Sequence, residues 1–539
     1  MPAVKRPLLL RLGLWRHRWL SLSTLAGRPE HAHERIASAL MNDRIRRLRG
    51  RAYAGLLANS VGIAAGAVLL RVIAGVGFVN YDTLYALVWG GQLSRGSTPA
   101  YGVAISPTPH PLMELVGLVL SPLGPHDVAS TTIALAFLAL SACGWVIYRL
   151  GAQWFGRAAG ALAALIFLTR VPVLSYGVRA YVDVPYVLLV LAALLVESKR
   201  RRAGAPVLLL LALAGLLRPE AWAFSGLYVL YLIGVAPTSL RSSVGERSLH
   251  TREVAGSKPA VILLALAASA PLVWVLSDLL ITGQPLWSLT HTQNTASTLD
   301  RVTGIANVPE YIPRRIGEIL RPPVLVGAAI GGVLSLLWMR RRAALGASAG
   351  VVAVLVFAAF AAVGLPINSR YAFLASAILC LFCGAGVFGW TRLEHGDRRR
   401  PIWMAAGALV ALALLAYTPA QYRTAHKELV KLARQHSLES ELLALVDNHT
   451  INLSCGPVGV PNHAPVPLLA LYLKTSPVNV VSLQVGHIPD GVYVDPASKE
   501  VEEDYVLDQH DPHPLAVNIP PGFTAAGSDA SWLIFKRCV

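Results

Sequence analysis

The sequence predicts an all-α polytopic membrane bundle of about eleven transmembrane helices with a small C-terminal extracytoplasmic α/β or α+β domain. Composition is the first reason: 54% hydrophobic and 14% charged residues, with a mean hydropathy of +0.53, give more apolar surface than a soluble core absorbs. Charge placement is the second. The Lys and Arg behind the net charge of +17 fall mainly in short stretches between apolar runs, where they orient spans rather than bind nucleic acid. The third is a change of character near residue 418, beyond which the chain is polar and net acidic and mixes a helix-like run (LLALYLK) with strand-like ones (VNVVSLQ, GVYV, WLIFKRCV).

Taken in order, residues 1–57 form a basic cytoplasmic segment. Its apolar run LLLRLGLW is broken by Arg11, so no cleavable signal peptide is expected. Residues 59–79 carry one charge, Arg71, and at about 1.5 Å per residue cross a hydrocarbon core of about 30 Å. Asp82 therefore emerges outside, followed by a surface-lying helix from Thr83 to Gly96 and the His110-Pro111 turn. Further spans are expected at 128–150, 158–174 and 184–196, the last pinned inside by the basic run KRRR at residues 199–202. The outer turn SYGVRAYVDVPY brings Arg179, Tyr181 and Asp183 to the side of Asp82.

Residues 206–235 read as two half-length helices broken at Arg218-Pro219-Glu220. A single span would place three Arg-bearing loops, at 241–258, 340–342 and 398–400, outside, whereas two put them all inside. Pro219 lacks a backbone donor and disfavours helix at Arg218, which suits a break. The loop 236–259 is hydrophilic and is assigned no function. Spans at 260–279, 323–338, 345–363, 371–390 and 402–417 complete the bundle. The long outer segment 280–322, which contains His291, is of a length that carries function or covers a site. The transmembrane domain is thus 58–417, with outer-face loops 80–126 and 280–322, and 418–539 is the extracytoplasmic domain. Cys455 and Cys538 both fall in that domain, where an oxidising compartment favours a disulfide over two free thiols. Cys143, Cys380 and Cys383 show no metal-ligand pattern and read as core residues.

Asp82, His110, Arg179 with Asp183, Arg218 with Glu220, His291, and Arg370 with Tyr371 all lie at outer ends of different spans. Ionisable residues at a membrane edge are costly and tend to be functional, which points to one shared outer cavity. Structural roles compete at each position: Asp82 and Asp183 as helix caps, Arg218 and Glu220 as partners across the break, Arg370 and Tyr371 as interface anchors.

Arg71, Asp82 in a YD-x-L-Y setting, HPL, RAYVDVP, LRPE, TG-x-PL and SRY, in that order between Arg71 and Tyr371, resemble the GT-C superfamily of integral membrane glycosyltransferases. The bacterial polyprenyl-phosphate-sugar-dependent mannosyl- and arabinosyltransferases are nearest in flavour. The resemblance implies a GT-C-like bundle in the bacterial plasma (inner) membrane, with the N-terminus cytoplasmic. The donor would be a polyprenyl-phosphate-linked sugar, the acceptor a glycan, lipid or protein, and the reaction inverting with Asp82 as general base. Arg218, Arg370 and Arg179, with Tyr371 and Glu220, would meet the donor phosphate. Asp183, His110, Tyr181 and His291 would face the sugar or acceptor. A single Asp82 stands where many relatives carry a paired acidic dipeptide, which leaves a divalent metal open and implies no other cofactor. A lipid or glycan transporter or flippase would share the bundle but should show an internal repeat, which the sequence lacks. A non-catalytic envelope-assembly scaffold would not need Asp82.

Overall fold

Helices alone make up the first part of the chain: among the residues described by the computed structural model (55–234, 258–506 and 519–538) no strand occurs before Val458. They are α1 (Gly55–Ala74), α2 (Tyr81–Ser94), α3 (Pro111–Leu120), α4 (Pro125–Trp154), α5 (Arg157–Leu168), α6 (Val171–Val178) and α7 (Asp183–Lys199). After these come α8 (Ala205–Leu217), α9 (Glu220–Gly234), α10 (Lys258–Thr282), α11 (Trp287–Thr298), α12 (Val308–Trp338), α13 (Arg340–Ala362), α14 (Phe373–Phe388) and α15 (Arg399–Asp447). Seven described helical runs are long and apolar enough to cross a bilayer, and the bent pair α5–α6 makes an eighth if taken as one span. The chain is a multi-pass membrane protein. Each of the eleven expected segments is helical over most of its length. Residues 63–539 form one unit and residues 1–62 another. The basic segment 1–57, apart from its last three residues, and most of the loop 236–259 lie outside the described residues.

Three elements depart from the expectation, each for a local reason. The span expected at 158–174 bends by 64° between α5 and α6. Pro172 sits in the first turn of α6, where its missing N–H costs nothing, and Thr169 Oγ1 donates back to the Leu165 carbonyl at 2.8 Å to close α5. The segment before residue 323 is largely helical: α11 and the first half of α12 fill it, and α12 kinks at Arg321 (φ 66°) ahead of Pro322-Pro323. Finally, α15 does not stop at residue 417. It continues to Asp447, through the boundary expected at 418, because helix propensity persists after hydropathy falls.

The run containing α14, from Ser369 to Arg392, has 89% of its apolar window buried, so it stands inside the bundle against α4, α5, α12, α13 and α15. Small residues permit this. A Cβ on Gly331 of α12 would fall 1.9 Å from the Phe382 carbonyl oxygen, so the two backbones touch where nothing larger than hydrogen fits. The same device joins α2 to α3, where a Cβ on Gly90 would fall 2.2 Å from the Glu114 carbonyl oxygen.

Beyond α15 a five-stranded sheet is built from β1 (Val458–Val460), β2 (Val480–Ser482), β3 (Gly491–Pro496), β4 (Thr524–Ser528) and β5 (Trp532–Arg537), with α16 (Val466–Tyr472) between β1 and β2. The order is β2-β1-β3-β5-β4, parallel on the β1 side and antiparallel around β5. Trp532 is fully buried and its indole donates to the Leu438 carbonyl at 3.0 Å, fastening the sheet to α15. Cys455 and Cys538 form a disulfide, with Cα atoms 4.8 Å apart. Tyr85 and Trp89 of α2 share an apolar core with Leu442 of α15 and Ile534 of β5, so the sheet domain covers the helix that carries Asp82.

Candidate active site

Asp82 is placed by its predecessor. Asn80 caps α2, its side-chain oxygen accepting from the Asp82 N–H at 2.8 Å and the Thr83 N–H at 3.2 Å. The Asp82 carboxylate is therefore not a cap. Asn80 Nδ2 also donates to the Arg179 carbonyl at 2.9 Å, and Thr83 Oγ1 to that of Ala180 at 2.8 Å. These bonds join the start of α2 to the turn between α6 and α7, so Asp82 and the RAYVD segment share one rigid corner.

The carboxylate pairs with Arg370, which lies in the one-turn 3₁₀ segment leading into α14. Beside this pair, Arg218 occupies the break between α8 and α9 in extended conformation. It bonds Asp183 through Nη1 and Glu220 Oε1 through Nε and Nη2, at 2.9 and 2.6 Å. All three side chains are at most 7% exposed. Asp183, the first residue of α7, thus spends its charge on Arg218 rather than on a cap. Tyr371 unites the two groups: the Arg218 guanidinium carbon is 4.4 Å, and that of Arg370 5.7 Å, from its ring centroid. Tyr181 lies 5.9 Å from the Arg370 guanidinium and 5.1 Å from that of Arg179. Three carboxylates and three guanidiniums, from four separate stretches of chain, thus meet with formal charges balanced.

His110 precedes α3 and joins the group through α8. Its Nδ1 lies 2.8 Å from the Leu217 carbonyl, an acceptor only, so Nδ1 carries the proton and Nε2 is left as an acceptor. Burial pushes the imidazole down to about 4, so it is neutral at ordinary pH. Burial also pushes the Asp82 carboxyl up, but Arg370, with smaller contributions from His110 and Arg218, outweighs it and holds the group below the usual carboxylate range. Asp82 is therefore held as a carboxylate at ordinary pH.

Nine of the ten expected site residues therefore converge. His291 is the exception: it approaches Ser106, at 3.1 Å from Oγ and 3.0 Å from the carbonyl oxygen, and stacks on Trp287 with centroids 4.2 Å apart. Sequence reasoning missed the neighbouring pair in which Tyr101 donates to Glu114 at 2.7 Å. The signal was available, since Glu114 interrupts the apolar helix PLMELVGLVL. Burial pushes its carboxyl up to about 7 despite that bond. Among the described residues no three His, Cys, Asp or Glu side chains come together to hold a metal ion.

No family model matches the chain, and no curated protein matches its sequence. Solved structures do match. The crystal structure of ArnT from Cupriavidus metallidurans bound to undecaprenyl phosphate superposes with a TM-score of 0.53 at 13% identity, covering 89% of this chain and 98% of that one. The same protein in the apo state gives 0.49 at 14%, covering 90% and 98%. ArnT is a GT-C glycosyltransferase. In its fold, from the membrane bundle through the small C-terminal sheet domain, this chain is GT-C-like.

Proposed function

We propose that this chain is an inverting membrane glycosyltransferase that moves a sugar from a polyprenyl-phosphate donor to a cell-envelope acceptor, with Asp82 as general base. The observation that carries the reading is the ionised Asp82–Arg370 pair set beside a buried Arg218 at one end of a GT-C-like bundle. The ArnT structure binds undecaprenyl phosphate, which supports a polyprenyl-phosphate partner here. The basic loops favour an extracytoplasmic position for this end of the bundle in a bacterial inner membrane, with the N-terminus in the cytoplasm.

In this reading the acceptor O–H gives its proton to Asp82 as the oxygen attacks the anomeric carbon from the face opposite the phosphate. The bond from that carbon to the phosphate oxygen breaks, and polyprenyl phosphate leaves with the electron pair. Arg370 meets the phosphate, exchanging the Asp82 carboxylate for it, so donor binding frees the base. Arg218, held in place by Asp183 and Glu220, and Tyr371 between the guanidiniums complete the wall beside it. Asp183 Oδ2 and Glu220 Oε2 are buried without hydrogen-bond partners and are free to accept from sugar hydroxyls. Neutral His110, with Nε2 open, and Tyr181 border the same space.

The test is transfer by the reconstituted protein from polyprenyl-phosphate-linked sugars. Asp82→Asn should lower the rate by about 10² to 10⁴ while donor binding persists. Undiminished transfer by that variant removes the base assignment, and absence of transfer from every such donor removes the proposal.

A further inference from the structure

Beyond residue 417 the polar part of α15 passes Arg179 on one side and Asp504-Tyr505 of the C-terminal domain on the other. Between them lies a cavity of about 240 Å³ bordered by Arg179, Glu428, Lys431, Leu432, Gln435, Asp504 and Tyr505. A second cavity of about 280 Å³ shares Lys431 and Asp504 and adds Lys427, Val430 and Arg434. The acidic side chains here are engaged: Asp504 faces Arg434 at 3.3 Å, and Glu428 accepts from Ser175 Oγ at 2.7 Å. Among the described residues Arg179, Lys427 and Lys431 have no carboxylate within 4.0 Å, so three cations on this concave surface make no direct ion pair there, and Glu428 approaches Arg179 only through the Ser175 hydroxyl they share.

Arg179 is also held in place. Its Nη2 donates to Ser175 Oγ at 3.1 Å, and its guanidinium carbon lies 5.1 Å from the ring centroids of both Tyr176 and Tyr181. The Tyr181 ring has Arg370 as its other cationic neighbour, at 5.9 Å. One aromatic ring therefore separates this cavity from the Asp82–Arg370 pair.

We propose that the cavity is an acceptor subsite and that the acceptor is acidic. A phosphate or carboxylate on it is held by Arg179, Lys431 and Lys427 while a hydroxyl of the same molecule reaches Asp82. The proposal rests on the transferase reading and adds the chemical class of the acceptor. The walls argue for a polar occupant: apart from Arg179 they come from the extension of α15 and from the C-terminal domain, and beside Leu432 and Val430 they are charged or polar residues and Tyr505.

The experiment uses the full chain in nanodiscs of neutral phosphatidylcholine and measures binding of glucose 6-phosphate against glucose by saturation-transfer NMR. The phosphorylated sugar should bind at least tenfold more tightly. The double variant Lys427→Glu/Lys431→Glu, at exposed positions that leave folding intact, should erase the preference, and Asp82→Asn should keep it. Equal binding of the two probes, or a preference that survives the double charge reversal, overturns the subsite. A preference lost by the unsubstituted protein once the nanodiscs contain undecaprenyl phosphate assigns the cavity to the donor and overturns the acceptor assignment. None of these readouts requires transfer, so their failure is distinct from failure of the transferase reading.

Discussion

Arg370 donates to the carboxylate of Asp82 from a position 288 residues further along the chain, and it does so from the buried helix run at the centre of the bundle. In the proposed transfer the pair sets the acid side of the activity. Asp82 lies below the usual carboxylate range, so it stays ionised as the pH falls and transfer fails only when the pH passes through that depressed value. Arg370→Gln removes the main charge opposing burial, and burial raises the carboxyl. The acid limb of the kcat/KM profile should then move to higher pH. An unmoved limb would mean that the guanidinium does not control the base.

Arg218 holds two buried carboxylates, so removing it leaves charge uncompensated. Arg218→Met should cost about 3–5 kcal/mol. The double variant Arg218→Met/Glu220→Gln should recover part of that loss. Thermal unfolding in detergent reads the difference, and a double variant no more stable than the single one contradicts the pairing.

Glu114 gives a stability signature with the opposite pH sense to that of Asp82. Its carboxyl is raised to about 7 by burial, so the folded protein binds a proton that the unfolded chain has released. That stabilisation is full below the ordinary carboxyl value, declines as the pH rises through about 7 and is flat beyond, with a span of about 3 kcal/mol. Glu114→Gln should flatten the unprotected slope in unfolding midpoint between pH 5 and 7.5. A variant with the same slope as the parent excludes Glu114 as its source.

The disulfide closes a sequence separation of 83 residues around the sheet domain. Cys538→Ser should lower that domain's stability by about 2–4 kcal/mol. Limited proteolysis of the C-terminal region should accelerate accordingly, and an unchanged cleavage rate would show that the cross-link adds nothing.

The helical segments were legible because hydropathy and flanking Arg residues report membrane crossing directly, and Arg218-Pro219-Glu220 announced its own break. The bend at Thr169-Arg170 was not read, although Pro172 was in plain view, since a proline in a first turn is compatible with either a fresh helix or a continuous one. The continuation of α15 past residue 417 was not read because the sequence signal reported loss of lipid contact, which is not loss of helix. Gathering charges at one end followed from topology, whereas the partner of each did not. That Asp183 answers Arg218, that Asn80 rather than Asp82 caps α2, and that His291 turns toward Ser106 depend on side-chain directions fixed only by packing.

The unbroken course of α15 from the bilayer to Asp447, with Trp532 bolted to it at Leu438, has a mechanical consequence. The sheet domain is carried on the same helix that crosses the membrane, with Pro419, which lacks an amide donor, interrupting the hydrogen-bond ladder between the apolar and polar halves.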